Sequence, residues 1–233
     1  MLTHENLRAT MNYLKSPDFM NVNPDDITIS ALPFFHVYGV MLIFNVLANG
    51  MKLINMKQFQ PETFLKTIQE KKINKLFLVP SLAVFLAKHP LVEKFDLSSV
   101  KYAYCGGAPL ADEVEKTLWN KFSLISLLNG YGLTECAGLT HLAPRNAEPR
   151  FGSSGIPVPL SVCKVVEHSS GKPLGPNKAG ELCFKGCLVM KGYIDDPDST
   201  IQAFDEEGFL HSGGYGYYDE DNYLFIIDRL KDI

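Results

Sequence analysis

The sequence has 233 residues, with 22 lysine and arginine side chains against 26 aspartates and glutamates, a formal net charge of −4. That balance, with no dense Lys/Arg block, argues against a nucleic-acid binder, which needs a basic stripe to neutralise phosphates. With 46% hydrophobic and 21% charged residues the chain can bury a core, which excludes a wholly disordered protein and fits one or two domains.

Met1-Leu2-Thr3-His4-Glu5-Asn6 lacks a basic segment followed by an apolar one, so it does not read as a secretory signal. From residue 27 to about 129, short β-branched or apolar runs alternate with longer amphipathic ones. The strands predicted there are Ile27 to Leu32, Met51 to Met56, Lys75 to Val79, Val100 to Tyr104 and Leu124 to Asn129. Pro61-Glu62, Pro80-Ser81 and Pro109 ahead of Asp112 and Glu113 read as helix starts, because proline tolerates the first turn and acids favour its positive end. The most apolar stretch, Val37 to Met51, contains Asn45 and Asn49 and falls short of the ~20 residues a membrane helix needs. It reads as a buried helix. Repeated βα units predict a mostly parallel layered sheet with helices, and ligands then bind at the carboxyl ends of the strands.

Beyond about residue 145 the pattern changes to Pro/Gly-punctuated short strands: Cys163 to Glu167, Glu181 to Lys185 and Tyr223 to Asp228. This predicts a small β-rich subdomain or distorted barrel, joined at Gly152-Ser153-Ser154-Gly155-Ile156-Pro157. Cysteines at 105, 136, 163, 183 and 187 form an odd set without C-x-x-C. That pattern argues against a disulfide scaffold or zinc site and fits buried thiols in an intracellular, reducing compartment.

Three predicted strands end in segments that can carry chemistry. Cys105-Gly106-Gly107-Ala108-Pro109 offers close backbone approach and then the open N–H groups of a helix start; alone, such a turn is more often a plain connection. Asn129-Gly130-Tyr131-Gly132-Leu133-Thr134-Glu135 opens at the same edge, with a ring to stack on a base, a hydroxyl for a phosphate oxygen and a carboxylate for Mg²⁺. A glycine-rich loop with a surface glutamate explains it as well. Leu32-Pro33-Phe34-Phe35-His36-Val37-Tyr38-Gly39 sets one imidazole among aromatics, either as a satisfied core residue or as the wall of an apolar substrate tunnel. Arg229 supplies a planar charged donor for a ribose or phosphate, or simply an exposed pair with Asp228 or Asp232.

Taken in order, Gly130-Tyr131-Gly132-Leu133-Thr134-Glu135, Gly180-Glu181-Leu182-Cys183, Lys191-Gly192-Tyr193 and Asp228-Arg229-Leu230-Lys231-Asp232 resemble the AMP-forming acyl-activating superfamily. Pro33-Phe34-Phe35-His36 and Gly106-Gly107-Ala108-Pro109-Leu110 bring the resemblance nearest to insect luciferase-like acyl-CoA synthetases and 4-coumarate-CoA ligases. It runs from Leu2 to Ile233 and implies the central part of a large N-terminal domain. By this resemblance residues 1–26 end a first α/β subdomain, 27–145 form the α/β subdomain with the nucleotide and acyl pocket, 146–229 are β-rich and 230–233 begin a hinge.

The resemblance further implies that Tyr131 stacks on adenine and that Gly106, Gly107, Ala108, Pro109, Asn129, Gly130, Gly132, Thr134 and Arg229 line the ATP or AMP site. Thr134 would meet the α-phosphate, Glu135 the Mg²⁺, and His36 the reacting carboxylate. Val37, Tyr38, Cys105, Ala137 and Gly138 would complete an acyl pocket suited to an aliphatic or aromatic acid, and Lys231 would be the hinge. The implied partners are a small carboxylic acid, ATP and CoA, in the cytoplasm or peroxisome. The family's phosphate loop falls before Leu2 and its lid after Ile233, so this stretch alone is expected to be inactive. In place of the family's Thr-Gly-Asp stands Ser212-Gly213-Gly214. An adenylate or acyl binding module without turnover is therefore the alternative reading. Luciferase-like oxygenation is less favoured, since Gly138 stands where luciferases carry a serine.

Overall fold

The computed structural model describes residues 1–232. Its elements run α1 (His4–Leu14), β1 (Ile27–Ser30), α2 (Val37–Asn49), β2 (Lys52–Asn55), α3 (Pro61–Lys71), β3 (Lys75–Leu78), α4 (Pro80–Lys88), β4 (Tyr102–Cys105), α5 (Asp112–Phe122) and β5 (Ser126–Leu133). They continue with β6 (Gly138–Leu142), β7 (Ile156–Pro157), β8 (Ser161–Val166), β9 (Gly180–Gly186), α6 (Pro197–Ala203), β10 (Leu210–Tyr218) and β11 (Leu224–Arg229). The chain divides into two compact units, each visited more than once. A parallel unit comprises residues 14–129 and 144–152; an antiparallel unit comprises residues 1–13, 130–143 and the chain from 153 onward.

In the parallel unit the strands stand in the order β2-β1-β3-β4-β5, all parallel. Helices connect them, as parallel pairs require. Phe64, Leu65 and Ile68 of α3, Ala83 and Leu86 of α4, and Val114 and Leu118 of α5 pack with Ile29, Leu76, Leu78 and Ala103 in one core. The proline starts hold at Pro61 and Pro80. The third helix begins at Asp112 rather than near Pro109, so Asp112, Glu113 and Glu115 all fall in its first turn, where the helix dipole favours them. Helix α2 is buried on one side only: Gly39, Met41, Leu42 and Asn45 face inward, whereas Leu47 is 74% exposed.

Strand β5 is longer than the sequence predicts. Ser126–Asn129 pairs in parallel with β4, and residues 130–133 continue as strand, antiparallel to β6. Glycine makes this possible, because a Cβ at Gly132 would lie 1.8 Å from the Gly138 carbonyl oxygen. Thr134–Cys136 is a single 3₁₀ turn, and Ala137 at φ 52° and Gly138 at φ 113° reverse the chain. The rest of the antiparallel unit holds a four-stranded sheet in the order β11-β10-β9-β8, every pair antiparallel. Leu182, Phe184, Leu210 and Leu224 form its core with Val165 and Cys136.

Candidate active site

The site residues named from the sequence fall in both units. In the parallel unit, His36 is the N-cap of α2: its Nδ1 accepts the Tyr38 amide at 3.1 Å. The imidazole is exposed rather than set among aromatics. With Nδ1 engaged as acceptor, the proton of the neutral ring sits on Nε2, which can donate to an anion. Val37 opens α2 half-buried. The Tyr38 hydroxyl donates to the Tyr104 carbonyl at 3.0 Å, and its ring meets Phe77 edge-on. Cys105 is buried at the end of β4, where loss of water pushes its thiol up to about 12, so it is no nucleophile. Gly106 is buried and donates to the Leu78 carbonyl, while Gly107, Ala108 and Pro109 are exposed. Gly107 holds φ +94°, which favours glycine. Asn129 is buried and its Oδ1 has no protein partner.

At the carboxyl ends of β1 and β3 lies a groove of about 330 Å³, lined by Ala31, Leu32, Phe59, Val79, Leu82 and Phe85 together with Ser81. None of the acyl-pocket residues named from the sequence lines it. Alternation and spacing could not reveal it, because its walls come from three separate βα connections.

In the antiparallel unit the structure gathers a second set. Gly130 is buried on β5, and the half-buried Tyr131 follows it. The Tyr131 hydroxyl reaches Ser212 Oγ at 3.5 Å, and its ring packs against Phe184. Ser212 Oγ donates to the Leu182 carbonyl at 2.7 Å and accepts from the Gly214 amide at 3.0 Å. Gly214 pairs with Arg229 across β10 and β11, so the ring, the turn and the arginine backbone occupy one patch of sheet. The Arg229 side chain is exposed, as is Lys231 in the 3₁₀ turn that follows. Thr134 is exposed on its turn, and Glu135 beside it accepts the Tyr193 hydroxyl at 3.0 Å. Ala137 is fully buried and offers no surface, whereas Gly138 is half-buried.

One residue outside the sequence-based set holds this patch. Glu181 on β9 accepts the Gly213 amide at 3.2 Å through Oε1 and meets His211 Nδ1 at 2.9 Å through Oε2. It thereby fixes the Ser212–Gly214 turn, in which Gly213 has φ +65°.

Residues 1–194 match the AMP-binding enzyme family. The chain belongs to this family. It is 40% identical over 233 residues to luciferin 4-monooxygenase of Nipponoluciola cruciata and 37% identical over 234 residues to probable 4-coumarate–CoA ligase 3 of Dictyostelium discoideum. The whole chain is covered in each case, against 42% of each relative. Among solved structures, ATP-bound MatB from Rhodopseudomonas palustris superposes with a TM-score of 0.91 at 28% identity, covering 100% of this chain and 45% of that one. This member of the AMP-binding family thus spans less than half the length of these relatives. The mixed α/β architecture, with a mainly parallel sheet and a separate antiparallel one, agrees with the fold class expected from the sequence. No described helix is long and apolar enough to cross a membrane.

Proposed function

We propose that this chain is the nucleotide-binding part of an enzyme that activates a carboxylic acid as its acyl-AMP and passes the acyl group to CoA. The observation that carries this reading is the patch on which the Tyr131 ring, the Ser212–Gly214 turn and Arg229 come together, with Thr134 and Glu135 at the end of the same strand as Tyr131. Tyr131 offers a ring face to adenine, and Arg229 a planar cation to the ribose or phosphate. Thr134 hydroxyl and Glu135 carboxylate form an all-oxygen donor set, which suits Mg²⁺; the ion would neutralise phosphate charge there.

In the proposed reaction the substrate carboxylate attacks the α-phosphorus of ATP, a P–O bond forms to the acid, and pyrophosphate leaves. The CoA thiolate then attacks the acyl carbon and expels AMP. The protein's contribution is orientation and charge stabilisation. His36 donates from Nε2 to the acid's carboxylate, and the apolar groove beside Phe59 and Phe85 favours an aliphatic or aromatic acid over a charged one. Acid-dependent exchange of labelled pyrophosphate into ATP by the whole protein tests this. Exchange with apolar acids is expected. Tight AMP binding to this chain without exchange by the whole protein would leave the second reading, an adenylate-binding module, which the missing carboxylate at Gly214 favours.

A further inference from the structure

We infer that Glu181, Cys183 and His211 form a binding site for one soft divalent cation of the Zn²⁺ type, with the exposed His168 free to swing in as a fourth ligand. Glu181 and Cys183 stand two apart on β9, on one face of the strand. His211 on β10 is the direct cross-strand partner of Cys183. One ligand atom from each of these three lies within 4.8 Å of the others. His168, in the connection after β8, brings its Nδ1 to 3.7 Å from Glu181 Oε2. The four donors are one sulfur, two imidazole nitrogens and one carboxylate oxygen, a set that selects zinc-like ions over Mg²⁺ or Ca²⁺.

Two of the separations match tetrahedral edges, and a third is shorter. Bonds of about 2.0–2.1 Å to nitrogen or oxygen and about 2.3 Å to sulfur give edges of roughly 3.3–3.6 Å between ligands. Cys183 Sγ stands 3.6 Å from His211 Nδ1, and His168 Nδ1 is 3.7 Å from the Glu181 oxygen. The Glu181–His211 distance of 2.9 Å is that of a hydrogen bond, and it has to open by about half an ångström to admit the ion. Cys183 and Glu181 are buried at 0% and 6% exposure, so the cation would enter from the side of His168 and His211. Behind His211, Asp205 Oδ2 lies 3.9 Å from Nε2, outside hydrogen-bond reach, and would have to close in to serve as an outer carboxylate. Lys164 pairs with Asp205 at 2.7 Å and Glu207 at 3.2 Å. Binding displaces the Cys183 thiol proton to solvent and puts the His211 ring proton on Nε2, leaving thiolate and carboxylate to balance the dication.

Sequence spacing hid this set, because its members come from two strands and a turn rather than a C-x-x-C motif. The site shares Glu181 with the patch around Tyr131, but its test needs no nucleotide. Co²⁺ is titrated into the metal-stripped chain carrying Cys187→Ser, which removes the exposed thiol, and binding is read by absorption and calorimetry. One equivalent is expected, with thiolate-to-cobalt charge transfer in the near ultraviolet and tetrahedral bands in the visible, both erased by Zn²⁺. Cys183→Ser should abolish the charge-transfer band. His168→Asn, an exposed change that leaves the core alone, should weaken binding at least tenfold. No binding, or a charge-transfer band that survives Cys183→Ser, would overturn the assignment and leave Glu181 and His211 as a hydrogen-bonded pair only.

Discussion

Each unit buries an ionisable group whose neutral form is favoured, a carboxyl in one and an imidazole in the other, and these two groups answer pH in opposite directions. In the parallel unit, Glu115 on α5 is 3% exposed; its Oε2 accepts the Gly152 amide at 2.9 Å and its Oε1 has no partner. Loss of water pushes this carboxyl up to about 7. In the antiparallel unit, His141 on β6 is 2% exposed, touches Thr140 Oγ1 at 3.2 Å and packs edge-on against Phe184. Burial alone pulls it down to about 3. A carboxyl buried on α5 has few routes to water, and an imidazole packed against Phe184 in the antiparallel unit has few as well. Each unit has kept one such group in its neutral form.

The consequence can be read region by region. Unfolded Glu115 ionises near its ordinary 4.5, so the parallel unit loses stability as pH rises from about 4.5 to 7, by about 3 kcal/mol at most. His141 takes its proton near 6.5 when unfolded, so the antiparallel unit loses stability as pH falls from about 6.5 towards 3, by at most about 5 kcal/mol. Hydrogen exchange resolved by peptide should show protection in β6 and β9 fading first at pH 5, and protection in α5 and β4 weakening first at pH 8. Glu115→Gln should abolish the alkaline loss while leaving the acid loss intact. Equal pH dependence in both units would break the comparison.

A buried charge pair sharpens the contrast further. Lys75 on β3 and Asp26 meet at 2.9 Å with side-chain exposures of 2% and 8%, and the Lys75 ammonium also donates to the Met20 and Asn21 carbonyls. Asn74 and the Asn23 amide complete the aspartate's shell. Lys75→Met strands a buried carboxylate and should cost about 3–5 kcal/mol, confined to the parallel unit. Denaturant unfolding followed by the single tryptophan, Trp119 on α5, reads it directly. A loss below 1 kcal/mol would mean that water already reaches the pair.

Much of the parallel unit was legible in the sequence, because period changes and Pro-Glu or Pro-Ser starts mark βα units locally. Lys75 shows where that legibility ends. It opens a strand of otherwise apolar residues, and only the packed fold shows that Asp26, far away in sequence, is its partner. The antiparallel unit was harder to read for the same reason. Tyr131, Thr134 and Glu135 announce themselves by type and spacing, but the cross-strand register that brings Ser212 and Gly214 to Tyr131 depends on pairing that no local pattern encodes. His36 stands out in the sequence by its type, yet its exposure and its capping bond follow from where α2 begins.

Gly214 sets up a smaller test within the antiparallel unit. A Cβ there would lie 2.4 Å from the Tyr131 hydroxyl oxygen and 3.2 Å from Ser212 Oγ. Gly214→Ala should therefore cost about 1–3 kcal/mol through overpacking. The cost should shrink in a Tyr131→Phe background, which removes the clashing oxygen, and a double-mutant cycle measures the coupling. Gly214→Asp meets the same obstacle, so any gain in nucleotide affinity from the added carboxylate should appear only when Tyr131 moves or loses its hydroxyl. Additive single-site effects would show that the turn, not the tyrosine, gives way.

The smallest effect belongs to Tyr193, whose hydroxyl donates to Glu135 Oε1 at 3.0 Å near the protein surface. Tyr193→Phe removes one hydrogen bond to a carboxylate that water can still reach. It should therefore shift stability by no more than about 0.5 kcal/mol. Its effect on chemistry should be larger than its effect on folding. Without the tyrosine Glu135 swings more freely, and in the whole protein the Mg²⁺ concentration needed for half-maximal pyrophosphate exchange should rise two- to fivefold while the acid's KM stays put. An unchanged Mg²⁺ requirement would separate Glu135 from the cation, and the patch around Tyr131 would then have to carry the nucleotide without it.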